Sequence, residues 1–342
     1  MQAAHDTELR AVTPFPAVAR ARVQASSRLH LGFLDPAGSL GRPFGSLGLA
    51  IDAADTVVEL AEGRADTFDG FAGGTATLER ALRHVEALRH ATGCRTPVNL
   101  RLRSAPPAHV GLGSGTQLAL AVGRAFCVAF GMEMTNAQLA ATLGRGARSG
   151  VGIAGFDRGG LLLDGGPRAD GAPAALLARI ALPAEWRVLV VLDARARGLS
   201  GADEKAALSA LAPLPREAAA EICHQVLMRI LPGAAGGEFA PFAAGVSRMQ
   251  ELLGQHFAPA QAGRPFTSEA VGRLLQWIGA HAAAGTGQSS WGPTGFAFLP
   301  SEPEAHRIVA AARDAGALDP ALEILVVRAR NHGALVSGAR KG

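Results

Sequence analysis

Apolar positions change their spacing several times along this chain, and each change marks an element. Alternation over 18–34 and 47–60 predicts two opening strands, with Val58 and Leu60 on one face and Val57, Glu59 and Ala61 on the other. The period lengthens over 77–90, where Leu78, Leu82, Val85 and Leu88 share a side and Arg80, Arg83 and Arg89 lie elsewhere, predicting an amphipathic helix closed by Gly93. Alternation returns over 97–103, with Val98, Leu100 and Leu102 on one strand face. Helical spacing then covers 114–130 and 136–146. The run 150–155, Gly-Val-Gly-Ile-Ala-Gly, is too rich in glycine for an ordinary helix, and a short strand follows at 161–163.

Residues 165–183, rich in Gly, Pro and Ala, read as a junction between a first domain over 18–180 and a second over 184–330. Beyond it, 186–192 predicts a buried strand, and helices follow near 203–212, 216–231, 238–254 and 267–283. A glycine-rich loop at 285–295 feeds a strand at 296–299. A helix near 303–315 and a strand at 322–327 complete an α+β arrangement.

At 342 residues the chain is long enough for two domains with their own cores. Hydrophobic residues make up 48% and charged residues 18%, with no run near the roughly 18 apolar residues of a membrane span, so the reading is a soluble protein without membrane partners. Residues 1–15 mix both charges without an apolar core, unlike a secretory signal. Cys94, Cys127 and Cys223 are far apart and odd in number, which fits a reducing cytoplasm better than a disulfide framework or a zinc site. A net charge of +4 is dispersed, giving no footprint for nucleic acid.

Candidate chemistry centres on Pro107-Ala-His-Val-Gly-Leu-Gly-Ser-Gly-Thr-Gln117, a glycine-rich loop leading from a strand into a helix. Such a loop brings backbone amides and a positive helix end to one place, the requirement for holding phosphate. It lacks the Lys-Ser/Thr ending of a Walker loop and the third glycine of a dinucleotide fingerprint. The second glycine-rich loop, 285–295, contains Gln288, Ser289, Ser290, Trp291 and Thr294, and two such loops on different domains imply a cleft. Arg28, Arg145, Arg148, Arg195 and Arg197 fall at element ends, where a guanidinium can clamp an anion. Asp35, Asp157, Asp164 and Asp193 do so too, and Mg²⁺ shared with a diphosphate needs only one or two carboxylates. His30 is a candidate general acid/base, a phosphate donor or a hydrogen-bonded core residue. Motifs of zinc proteolysis and serine hydrolysis are absent, as is the adjacent acidic pair of ordinary phosphoribosyltransferases in the run ending at Asp193.

The loop at 107–114 resembles the second motif of the GHMP superfamily of small-molecule kinases, with 26–35 and 285–295 where its first and third motifs belong. The resemblance implies a two-domain α+β fold: an N-terminal domain with a left-handed βαβ unit and a C-terminal ferredoxin-like domain, the active site between them. An ATP-dependent kinase is therefore the alternative reading. Kinases of this group commonly carry an aspartate shortly after a Ser-Gly pair, whereas Ser149-Gly150-Val151 is followed here by Gly152. The strings at 28–35, 113–117, 146–154 and 287–296 are similar instead to the β-ribofuranosylaminobenzene 5′-phosphate synthase family.

That resemblance implies a pentosyltransferase joining phosphoribosyl pyrophosphate to 4-aminobenzoate or 4-hydroxybenzoate, with loss of CO₂ and pyrophosphate, toward tetrahydromethanopterin. It further implies Mg²⁺ with the diphosphate, no organic cofactor and a cytoplasmic homodimer. On this reading Gly111, Gly113, Ser114, Gly115, Thr116 and Gln117 hold the diphosphate, with Arg145 or Arg148 adding charge. Arg28 and His30 hold the benzoate carboxylate or the 5′-phosphate, and Ser289, Ser290, Trp291 and Thr294 close the cleft, Trp291 as a wall for the ring. Arg28, His30, Asp157 and Gln288 are the catalytic candidates, and Asp35 and Asp193 the metal candidates.

Overall fold

The computed structural model describes residues 20–70, 74–108, 110–168, 174–198 and 201–338, with backbone alone for 201–205. The expected strand start at 18–19 and His109 of the first loop lie outside the described residues. In chain order the first half reads β1 (Arg20–Asp35), β2 (Phe44–Glu62), β3 (Thr67–Gly70), α1 (Gly74–Thr92), β4 (Val98–Ser104), α2 (Ser114–Phe130), α3 (Asn136–Thr142), α4 (Val151–Arg158), β5 (Leu161–Asp164) and β6 (Leu176–Ile180). After β7 (Arg187–Asp193) come α5 (Gly201–Ala210) and α6 (Arg216–Gln225), then a π-turn at Val226–Ile230 leading into α7 (Leu231–Gly236) and α8 (Phe239–Phe257). The chain ends with α9 (Glu269–His281), β8 (Gly285–Gln288), β9 (Gly295–Leu299), α10 (Glu302–Asp314), β10 (Leu322–Val327) and β11 (Leu335–Gly338).

Two sheets organise these elements. One has the order β11-β1-β2-β4-β3, with β5 beside the other stretch of β2 and β6 beside β5; the second has the order β10-β7-β9-β8. β3 and β4 run parallel, with α1 as their crossover. α2 lies on β1 and β2 because its apolar residues Leu118, Val122 and Phe126 close a core with Val23, Val58 and Leu100. α9 and α10 cover one face of the second sheet through Leu274, Ile278 and Ile308. On its other face, Phe242 meets Phe298 edge-on at 5.0 Å, in a cluster that continues into Leu29, Leu31, Leu47 and Leu49 of the first sheet. Burial of each such side chain contributes about 1.5–3 kcal/mol, so this shared core fixes the two sheets against each other.

Several expectations need correction. Residues 151–158 are helical despite their glycines. Gly152 and Gly155 face Thr116 and Leu162, where a Cβ would stand 3.0 and 3.5 Å from side-chain carbons. The Gly150 and Val151 amides and the Ser149 hydroxyl converge on the Asp164 carboxylate at 2.7, 3.2 and 3.2 Å. Close packing and this cap outweigh glycine's cost of about 1 kcal/mol per helical position. The loop expected at 285–295 begins as strand β8, whose Thr286 and Gln288 amides donate to Ser247 Oγ and Gln250 Oε1 of α8 at 3.0 and 2.8 Å. The buried stripe of α1 is also rotated: it includes Thr77, Ala81 and His84, while Leu78 and Leu82 are only partly covered.

Candidate functional site

The glycine loop is held open by its own backbone. Gly111 and Gly113 sit at φ +92° and +71°, in the left-handed region that side chains disfavour. The Arg28 amide donates to the Leu112 carbonyl at 3.1 Å, tying the loop to β1. Thr116 and Gln117 donate back to Gly113, so α2 begins with the Ser114 and Gly115 amides at its positive end, outside its own ladder.

Cationic side chains surround this end. Arg28 lies against both Gly113 and Gly152: a Cβ would stand 2.6 Å from Arg28 Cγ at 113 and 3.3 Å from Arg28 Nε at 152. Arg145 Nη1 comes within 3.3 Å of the Cβ position of Gly115. Gln117 donates from Nε2 to the Gly152 carbonyl at 3.0 Å. His30 lies one alternate position along β1 from Arg28, just before the bulge between His30 and Gly32. It is 3% exposed, and neither ring nitrogen has a hydrogen-bond partner among the described residues. Burial, then the Arg28 and Arg148 guanidiniums, hold His30 well below the usual histidine range. The ring is therefore neutral near pH 7, with one donor and one acceptor nitrogen, and is not poised as a base there.

The turn after β8 clasps the loop from the other half of the chain. Ser289 Oγ accepts from the His30 amide at 3.0 Å and donates to the Gly111 carbonyl at 2.6 Å. The Ser290 amide donates to the His30 carbonyl at 3.1 Å, with Ser290 itself at φ +54°. Thr294 donates to the Val110 carbonyl. Behind this turn lies a cavity of about 280 Å³, lined by His30, Phe33, Phe257, Phe266, Gln288 and Trp291 among others, with no arginine or lysine in its wall. Trp291 packs on Phe257 with ring centroids 4.5 Å apart.

The structure thus brings together Arg28, His30, Arg145, Arg148, Gly111–Gln117 and the 289–294 turn. It does not bring Asp35, Asp157 or Asp193 to them, and Asp164 is spent on capping α4. Asp35 accepts from the Gly38 and Leu40 amides at 3.0 and 2.7 Å and from Ser39 Oγ at 3.2 Å, closing its own turn. Asp193 is engaged by Arg195 and by Ser268 Oγ at 2.7 Å, which hold its carboxyl down to about 2. Asp157 pairs with the Asn136 amide at the far end of α4. Gln288 lines the cavity, yet its amide is bound to Gln261 Oε1, the Ser290 carbonyl and the Thr267 amide at 2.7, 3.0 and 2.6 Å, a positioning role.

Sequence reasoning passed over Arg80 and His84, which lie near Arg145 on the α1 side of the loop; their sequence signal is a polar i, i+4 pair on a helix with an otherwise apolar stripe. It also passed over Gln250, which bridges the Leu31 carbonyl and the Gln288 amide.

Residues 77–160 match the family description "GHMP kinases N terminal domain", and residues 230–318 match "GHMP kinases C terminal". A β-ribofuranosylphenol 5′-phosphate synthase of Archaeoglobus fulgidus is 33% identical over 292 residues, 82% of this chain and 88% of that protein. The chain belongs to the β-ribofuranosylphenol 5′-phosphate synthase family. A synthase of the same name from Methanothermobacter thermautotrophicus is 30% identical over 82% of this chain and 89% of its own. The fold is the two-domain one of the GHMP superfamily: homoserine kinase of Cytophaga hutchinsonii superposes with a TM-score of 0.65 over 96% of this chain and 100% of its own, at 17% identity. In this synthase-family member, the first carboxylate after Ser149-Gly150 is Asp157, and Gly152 is pressed against Thr116 and Arg28.

Proposed function

We propose that this protein joins the ribosyl 5-phosphate of phosphoribosyl pyrophosphate to the carboxyl-bearing carbon of 4-hydroxybenzoate or 4-aminobenzoate, a step toward tetrahydromethanopterin. The relatives' name specifies a phenol product, which corresponds to 4-hydroxybenzoate. The observation that carries the reading is Gly152: it offers no carboxylate, and it is packed so closely that a Cβ would stand 3.0 Å from Thr116 Cγ2 and 3.3 Å from Arg28 Nε, so phosphoryl transfer has no base where related kinases place one. A phosphate-holding loop without that base suits chemistry in which the diphosphate departs whole.

On this reading the anomeric C–O bond breaks with its electron pair going to the diphosphate, and the α2 amides, Arg28, Arg145 and Arg148 stabilise the departing charge. The acceptor ring occupies the aromatic cavity against Trp291 and Phe257. Its carboxyl-bearing carbon attacks the oxocarbenium-like centre. The C–CO₂ bond then returns its pair to the ring, restoring aromaticity, so no base must remove a ring proton and no electron-sink cofactor enters. Neutral His30, between the guanidiniums and the cavity, offers a hydrogen bond at the junction of the two substrates.

Mg²⁺ would arrive with the diphosphate, held mainly by its phosphoryl oxygens, and not in a cage of protein ligands. No cluster of three metal-ligating side chains occurs among the described residues, and the carboxylates of Asp35 and Asp193 are engaged elsewhere. No step is routed through a metal. A cytoplasmic location, which suits the free thiols of Cys94, Cys127 and Cys223, and a homodimer, which rests on the resemblance alone, also belong to this reading; sedimentation analysis tests the dimer.

Incubation with phosphoribosyl pyrophosphate and carboxyl-labelled benzoate, with and without Mg²⁺, should release labelled CO₂ and diphosphate in equal amounts. No CO₂ from well-folded protein overturns the reading, and ATP consumption with an alcohol acceptor would replace it by the kinase.

A further inference from the structure

Next to Arg145, whose charge the reaction already uses, the start of α2 has two cationic or ionisable neighbours from α1, Arg80 and His84, that the reaction as described leaves unassigned. Arg145 stands beside Gly115, and His84 of α1 is surrounded by Arg145, Arg80 and Arg83. None of these three arginines pairs with a carboxylate among the described residues; the one side-chain bond shown for Arg80 goes to the Thr77 hydroxyl at 3.3 Å. The same helix does neutralise an arginine elsewhere, since Arg89 binds Asp66 and Glu86 at 2.6 and 2.8 Å. His84 is 8% exposed, and its Nε2 has no hydrogen-bond partner among the described residues; Arg145 Nε is likewise buried without one. Buried donors without acceptors, gathered under uncompensated positive charge at a helix N-terminus, form a surface complementary to a polyanion.

We propose that Arg80, His84 and Arg145 form the outer half of the diphosphate subsite, holding the distal phosphoryl group while the α2 amides hold the one joined to the ribose. The proposal rests on the reaction described above and adds α1 to its machinery. His84 acts as a hydrogen-bond donor that gains a proton when the anion arrives. Burial and the three guanidiniums hold the ring down to about 4, and a bound diphosphate would offset that repulsion. Arg83 is exposed and supplies field without contact.

The test is titration calorimetry of the full chain with inorganic diphosphate at pH 6, in two buffers of different ionisation heat. Diphosphate changes its own charge near this pH, so proton uptake by His84 is read as the difference in buffer-dependent heat between wild type and His84→Gln. Arg80→Gln and Arg145→Gln should each weaken binding about tenfold or more, as expected for loss of a charge-assisted contact. His84→Gln should shift the buffer-dependent heat toward proton release, which separates it from His30. In turnover, KM for phosphoribosyl pyrophosphate should rise while KM for the benzoate stays unchanged, a split that a merely structural role does not produce. Should Arg145→Gln fail to fold, partly exposed Arg80 carries the test. Wild-type diphosphate affinity in Arg80→Gln, or a buffer-dependent heat in His84→Gln equal to that of wild type, overturns the subsite while leaving the reaction intact. Binding as described without CO₂ release would overturn the reaction and leave the subsite.

Discussion

Gly292 lies so near Gly111 that a Cβ at 292 would stand 2.5 Å from the Gly111 Cα and 2.5 Å from the Val110 carbonyl oxygen. The two glycine loops meet backbone to backbone, so the position of one sets the position of the other. Gly292→Ala must displace the phosphate loop. Because an ångström of misplacement costs about a hundredfold in rate, kcat/KM should fall by about two orders of magnitude with the circular dichroism spectrum retained. Wild-type turnover would show that the contact does not set the loop.

Ser289→Ala removes one hydroxyl that serves two partners, the His30 amide and the Gly111 carbonyl. The His30 amide is left in a buried place and the Gly111 carbonyl in a part-buried one. The expected loss of stability is about 1–3 kcal/mol, read as a lower urea midpoint at unchanged slope. Ser289→Thr should recover part of it.

Arg28 touches the loop through Gly113 and α4 through Gly152, and it depresses the His30 titration. Arg28→Ala should therefore have two signatures. Turnover should fall about a hundredfold or more through loss of charge stabilisation at the departing diphosphate. In NMR titrations the His30 ring should protonate at higher pH than in wild type, because one of its two cationic neighbours is gone. Unchanged turnover and substrate affinity would remove Arg28 from the site.

His84 ties stability to pH. Its folded value, about 4, lies below the ordinary 6.5, so the unfolded chain takes the proton first. Stability from this group is fully present above about pH 6.5 and drains as pH falls toward 4, by on the order of 3 kcal/mol at 1.36 kcal/mol per unit. His30 is shifted in the same direction. His84→Gln should flatten the pH dependence of the urea midpoint across that window; an unchanged slope would contradict the shift.

Much of this architecture is legible in the spacing of apolar residues. α2 occupies 114–130 and β10 occupies 322–327 as periodicity predicts, and the loop before α2 announces its chemistry through composition. What escaped was decided by partners distant in sequence. α4 is helical because Asp164 caps it and its glycines let it pack closely on Thr116, and β8 is a strand because α8 supplies acceptors for its outer amides. Arg80 and His84 escaped because a glycine motif draws attention to its own loop, while the charges beside it arrive from a helix that precedes it in the chain. The aspartates show the reverse error: an acidic residue at an element end is a candidate only until its turn or neighbouring arginine claims it.

β11 closes the sheet that β1 opens, with Ala21 opposite Gly338 and Val23 opposite Val336. Just before it, Gly160 donates to the Arg330 carbonyl and Ala334 to the Phe156 carbonyl, sewing the returning chain onto α4 and β5. Synthesis proceeds from the N-terminus, so the sheet that leaves the ribosome first is the last to be completed. Until residue 338 has been made, the edge of β1 stays open, and the phosphate loop hangs on an unfinished frame.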